Sequence, residues 1–207
     1  MRHAPFIAAI VFALLAFHAR AASVDMSGAT KCDLRGFSTD TDPKGTNIRS
    51  APDSSATIIG RVPAEPTAPG AQETVASSFH IIGSKNGWLL IEAVEPGGVA
   101  GQDAGISFRG PGWISGALAG FTVGSTKLRA APSLSAPVVA RLGDEAKGYG
   151  PDSYAVKRVN ACSGTFADIT VQLPQAIDRH ARPVRGWAAA VCDTQLTTCD
   201  PGGTDGP

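Results

Sequence analysis

The sequence predicts an all-β chain, on three observations. Stretches at helical spacing are absent after the first 21 of the 207 residues. The aliphatic residues come instead in short runs: Thr57-Ile58-Ile59, Phe79 to Ile82, Trp88 to Ile91, Val138-Val139 and Ile169 to Val171. Each run is bounded by Gly, Pro, Asn, Asp or Ser, as short strands are. With 24 Gly and 15 Pro the chain is punctuated by turns rather than built for helices. Finally, the stretch TNIRSAPDSSATIIGRV (46–62) returns without a gap 80 positions later as TKLRAAPSLSAPVVARL (126–142). Seven positions are identical, and four more exchange one branched aliphatic residue for another.

The N-terminus reads as a secretory leader. MRHAPFIAAIVFALLAFHARA has Arg2 in a short basic start, an apolar run from Pro5 to Phe17, and the small-x-small pattern Ala19-Arg20-Ala21 before a cleavage point. The apolar run is too short to span a bilayer comfortably, so the expectation is a signal peptide over 1–21 and no stable membrane span after its removal. Losing Arg2 and Arg20 leaves 16 basic residues against 18 acidic ones. A slightly acidic export product has no electrostatic footprint for nucleic acid. It also lacks the basic amphipathic helix that an anionic membrane would attract.

The repeat extends beyond its best-matched stretch. Leu34-Arg-Gly-Phe37 precedes the first copy and Leu118-Ala-Gly-Phe121 the second. Asn86-Gly87-Trp88 and then Gly112-Trp113 follow the first; Gly164-Thr165-Phe166 and then Gly186-Trp187 follow the second. Two copies of one small unit account for this order. The expected units are 31–118 and 119–199, with a flexible tail over 200–207. A small sheet of five or six strands buries its apolar faces best by curling into a barrel. The expected core is Ile48, Ile58, Val62, Ile81, Leu89, Ile91 and Trp113 in the first unit. In the second it is Leu128, Val138, Leu142, Val156, Ile169, Val171 and Trp187.

The pattern N-(I/L)-R-x-x-P, an aliphatic pair, G-W-L-x-I and then G-x-G-W-I resembles the bacterial SH3-like (SH3b) domain. TNIRSAPDSSATIIGRV, NGWLLIEA and GPGWISG carry the resemblance in the first unit; TKLRAAPSLSAPVVARL and VRGWAAAV carry it in the second. The resemblance implies two tandem small SH3-like β-barrels in a secreted or envelope protein that binds peptidoglycan or another protein. The chain departs from the pattern in a Pro-rich insert (63–78), a Gly-rich loop (95–110), Phe166 in the place of Trp88, and a loop over 173–185.

Arg49 and Arg129, each three residues before a proline, read as structural: proline sets the turn, and the guanidinium fork bonds carbonyls or a carboxylate nearby. The ligand-binding candidates are Trp88, on a Gly-x-aromatic strand of the kind that borders a groove, and Phe79, His80, Tyr149 and Tyr154, near the entry of the second aliphatic strand in each unit. His80 and His180 have no histidine or cysteine partner at metal spacing, so no metal and no cofactor is expected. No G-x-S-x-G elbow is present. Carboxylate pairs such as Asp144-Glu145 sit in turn-like surroundings, so no enzyme is expected.

Four cysteines, Cys32, Cys162, Cys192 and Cys199, suggest two disulfides in an exported chain. Adjacency of the strands bearing Cys162 and Cys192 favours Cys162–Cys192 with Cys32–Cys199. The rival is Cys192–Cys199 with Cys32–Cys162. The functional expectation is an exported, periplasmic or extracellular, non-catalytic binding module for peptidoglycan or an envelope protein. The alternative is an interaction subunit that docks on another exported protein and has no cell-wall ligand.

Overall fold

The structure, a computed structural model, describes residues 23–67, 70, 73–100 and 104–199. The expected leader and the expected tail lie outside the described residues. The chain is all-β, and three short 3-10 turns are the only helical pieces among the described residues.

A seven-stranded sheet contains β1 (Thr30–Ser38), the hairpin β2 (Thr46–Arg49) and β3 (Ile58–Val62), β5 (Ser78–Lys85), β6 (Trp88–Glu95), β8 (Gly112–Ser115) and β9 (Ala119–Gly120). A five-stranded sheet contains the hairpin β11 (Lys127–Arg129) and β12 (Val138–Arg141), with β13 (Ala155–Ser163), β14 (Phe166–Gln172) and β15 (Val184–Ala188). Two small ribbons pair β4 (Thr74–Val75) with β7 (Gly98–Val99), and β10 (Thr122–Val123) with β16 (Val191–Cys192). The first sheet runs β3-β2-β8-β6-β5-β1-β9 and the second β12-β11-β15-β14-β13. Five strands of the first sheet therefore stand in the same order as the whole of the second.

The repeated sequence builds that order through repeated bonds. Ser50 N donates to Thr57 O and Ala130 N to Pro137 O, closing the two hairpins alike. Arg49 Nη1 donates to Ala56 O at 2.8 Å, and Arg129 Nη1 to Ala136 O at 3.0 Å. The glycine of each Gly-Trp strand admits the neighbouring hairpin strand: a Cβ on Gly186 would lie 2.9 Å from Leu128 Cβ, and one on Gly112 would collide with Ile48.

Neither sheet closes into the expected barrel: β3 and β9 end the first ladder, and β12 and β13 the second. The outer edge of β13 is occupied by the turn at Gly116–Leu118, where Gly116 lets the backbone reach the Val159 carbonyl. An edge already covered in this way has no need of β12.

Ile48, Val62, Ile81, Leu89, Ile91, Trp113, Leu128, Leu142, Ile169 and Val171 are buried as expected, and Val156 and Trp187 partly so. Ile58 and Val138 are not buried; they are 45% and 39% exposed. Each opens an edge strand at a register shift, between Ile48 and Arg49 on one partner strand and between Leu128 and Arg129 on the other. A one-residue slip turns a side chain to the solvent face, and the repeat carries the slip in both copies.

The favoured disulfide pairing is overturned. Cys32 is bonded to Cys162, with Cα atoms 5.7 Å apart, and Cys192 to Cys199. Ala188 of β15 does lie beside Ala167, which in turn faces Cys162. The chain then leaves the sheet, however, and Cys192 pairs with Thr122. Meanwhile β1 runs past the β13–β14 turn: Gly164 N donates to Lys31 O at 3.0 Å and Asp33 N to Gly164 O at 2.9 Å, which brings Cys32 onto Cys162. Disulfides of this kind persist in an oxidising, non-cytoplasmic compartment.

Further contacts tie the first part of the chain to the C-terminal segment and to the second sheet. Arg35 Nε donates to Asp193 at 2.7 Å. Gln195 grips the backbone of Ala76 from both ends of its amide, at 2.8 and 3.0 Å. Ser84 Oγ accepts from Cys162 N and donates to Cys162 O. Buried residues from both sheets form one contiguous cluster. Among the described residues no helix is long and apolar enough to cross a membrane.

Candidate functional site

Two tight hairpins place the aromatic residues that border the surface grooves. Between Lys85 and Trp88, which pair, stand only Asn86 and Gly87, at φ 50° and 80°. Positive φ at both central residues is what a twist-matched two-residue hairpin requires, and Asn-Gly adopts it readily. Trp88 is thereby fixed as the first residue of β6. In the second sheet Gly164 and Thr165 connect Ser163 to Phe166, with Gly164 at φ 55°, so Phe166 opens β14 in the same way.

Trp88 lines a groove of about 350 Å³ together with the Asp40–Asn47 segment, Arg49, Ser54 and the end of β8. The Asp40–Asn47 wall is fixed by its own bonds. Thr46 Oγ1 donates to Asp40 at 2.7 Å, Asp42 N to Asp40 at 3.0 Å, and Lys44 N to Asp42 at 2.9 Å. Arg49 is committed to the Ala56 carbonyl. At the same turn the Asp53 carboxyl is held below the ordinary aspartate range, first by the Ser55 backbone N–H and then by its hydroxyl. One polar atom of the wall is unaccounted for. Asn47 Oδ1 is shut off from solvent and has no hydrogen-bond partner among the described residues. A buried acceptor without a donor costs about 1–3 kcal/mol.

The other candidates do not gather around Trp88. Phe79 is wholly buried in the core, contrary to the expectation of a ligand-facing ring. The alternation of β5 turns Phe79 and Ile81 inward and His80 outward. His80 is half-buried, with Nε2 2.9 Å from Asp33 and Nδ1 3.6 Å from Glu92, so it bridges carboxylates on both neighbouring strands. Tyr149 and Tyr154 form a tilted ring pair, centroids 6.4 Å apart, where the chain leads into β13. Burial, ahead of its other surroundings, pushes the Tyr154 phenol above its ordinary value. Among the described residues no group of three or more His, Cys, Asp or Glu is placed to hold a metal ion.

Asn47, which lines the groove, was not among the sequence candidates. Its signal was the difference between the copies: Asn47 in the first stands where Lys127 stands in the second, within an otherwise well-kept stretch. Asp40 and Asp42 gave no signal, because aspartates between strands read as turn formers.

These features define a disulfide-bonded all-β protein with a repeated strand order and surface grooves beside the first residue of a repeated aromatic strand. No family profile, no curated protein and no solved structure matches the chain.

Proposed function

We propose that the chain is an exported, non-catalytic recognition protein, a tandem of SH3b-like modules whose Trp88 groove binds peptidoglycan. The observation that carries this reading is the groove lined by the Trp88 indole together with the Asp40 and Asp42 carboxylates. Such a site asks for an N–H donor beside an apolar face. The acetamido groups, pyranose faces and stem peptides of peptidoglycan supply both, and the Asp40 and Asp42 carboxylates suit a stem-peptide ammonium. An indole beside an acceptor is a common arrangement for amphipathic ligands. The repeated strand order supports the tandem reading. The two disulfides support export, to the periplasm or beyond the cell.

The test is co-sedimentation of the oxidised chain, residues 22–207, with purified insoluble peptidoglycan, beside Trp88→Ala and Asn47→Leu variants. Pelleting that both variants lose supports the reading. Pelleting that both retain moves the site out of this groove. No pelleting by the unaltered chain removes wall binding.

A second reading, an interaction subunit docking on another exported protein, is favoured by the apolar exposure of the second hairpin, where Leu134, Val138 and Val139 are 51%, 39% and 53% exposed. Exposed aliphatic clusters of this kind mark contact surfaces.

A further inference from the structure

We infer that a second groove, beside Phe166, binds an extended segment of another exported protein, one that carries an apolar side chain next to a lysine or arginine. The inference goes beyond wall binding and is independent of it.

The groove is the counterpart of the Trp88 groove. Leu134 stands at the tip of the repeated turn where Ser54 stands in the first copy. Phe166 opens its strand as Trp88 does, and Ala189 follows the Gly-Trp strand where Ser115 does. The remaining wall is different. In the first copy it is the nearby Asp40–Asn47 segment; here it is Asp33 to Arg35 of β1, from the other sheet. The groove, about 530 Å³, therefore exists only where the sheets meet, and the Cys32–Cys162 disulfide and the Arg35–Asp193 ion pair fix its width.

Its chemistry selects the occupant. Leu134, Phe166, Ala189 and Val191 give an apolar lining, with Leu134 and Ala189 where the first copy has Ser54 and Ser115, and Leu134 is half exposed with room beside it. An apolar side chain fills such a space. The wall from β1 also offers backbone. In an antiparallel ladder alternate residues turn their N–H and C=O away from the partner strand. On the edge facing away from β5, β1 meets Gly164 around Cys32 and β9 at Phe37 and Ser38. Asp33 N and Thr39 N turn to that edge, bonding Gly164 O and Leu118 O, so Arg35 turns the same way, and it has no strand partner there among the described residues. An extended peptide can bond the Arg35 N–H and C=O, which a lipid chain cannot. The rim supplies charge. Arg35 is held by both Asp193 and Glu95, whereas the Asp33 side chain is 79% exposed and meets His80 through Oδ1 alone. A cation next to the apolar side chain complements that carboxylate.

The test pans a phage-displayed library of short random peptides on the oxidised chain, residues 22–207. The affinities of selected synthetic peptides are then measured by fluorescence anisotropy. The expected result is enrichment of peptides with an aliphatic residue or proline beside lysine or arginine. Leu134→Asp should weaken them roughly tenfold or more, Asp33→Asn should weaken them less, and Trp88→Ala should leave them unchanged. Leu134 lies at an exposed turn tip, so the variant's unfolding midpoint should match that of the unaltered chain. No enrichment, or selected peptides that bind Leu134→Asp as tightly as the unaltered chain, would overturn the inference. Peptidoglycan pelleting by Leu134→Asp should be unchanged, so the failure of either site is read separately.

Discussion

Arg129 stands directly across the ladder from Trp187, and Arg49 makes the same pairing with Trp113. In each case the guanidinium bonds a carbonyl within the turn of its own hairpin, Ala56 O or Ala136 O. Arginine, turn and Gly-Trp strand thus form one unit that the sequence repeats because the fold requires it. The aromatic residues that open β6 and β14 are held by different hairpins, which leaves them available to a groove.

Arg129 is 7% exposed and Arg49 less buried. Arg129→Ala should therefore destabilise the chain by about 1–3 kcal/mol, and Arg49→Ala by about 1 kcal/mol. Lysine should not restore either, since a point charge cannot reproduce the fork. Urea unfolding midpoints of the four variants test this. Equal midpoints for Arg129→Ala and the unaltered chain would remove the turn-closing role.

Trp113 is completely buried and its Nε1 donates to Asp25 O at 2.8 Å, while Asp25 N donates to Ser50 O. Trp187, its counterpart, is only partly buried. The segment ahead of β1 is therefore a cover for one tryptophan and not the other. A chain beginning at Ser27 should lose about 1 kcal/mol. In a background with Trp88 and Trp187 changed to Phe, its emission should shift to the red. Trp113→Phe should cost a similar amount, and the two changes together less than their sum.

Non-reducing peptide mapping should recover Cys32 linked to Cys162 and Cys192 linked to Cys199. In the loop-entropy account, a bridge spanning 130 residues stabilises by about 5 kcal/mol and one spanning 7 by about 2 kcal/mol. Paired Cys→Ala variants, compared by unfolding in urea, should rank in that order. Loss of the long bridge should also weaken peptide binding at the Phe166 groove, whose β1 wall it anchors.

Tyr154 ionises above its ordinary value in the folded chain because burial disfavours the phenolate. In the unfolded chain it ionises at the ordinary value. Between the two, the folded state holds the proton that the unfolded state has released. The contribution is complete below the ordinary tyrosine range and is lost as the pH rises through the folded value. Stability measured by urea unfolding should fall on alkaline titration, and Tyr154→Phe should flatten that fall. An unchanged slope would remove Tyr154 as its source.

The sequence by itself determined the β class, the order of elements within each copy and most of the core. These follow from local chemistry: turn residues, short aliphatic runs, and an arginine and a proline at fixed spacing. It also brought Trp88 forward as a candidate, since a Gly-x-aromatic strand of this kind borders a groove. Only the tertiary structure decided that the ladders stay open, that Ile58 and Val138 face solvent, and that Phe79 does not. The same holds for the partner of each cysteine. Each of these depends on register or on contact between distant segments: a bulge that slips one residue, an edge of β13 covered by Gly116, a β1 strand that runs on past the β13–β14 turn. The Trp88 groove draws residues from three stretches of chain, and the Phe166 groove from both sheets. No local pattern encodes such proximity, because the free energy that creates it is released only when the two sheets pack.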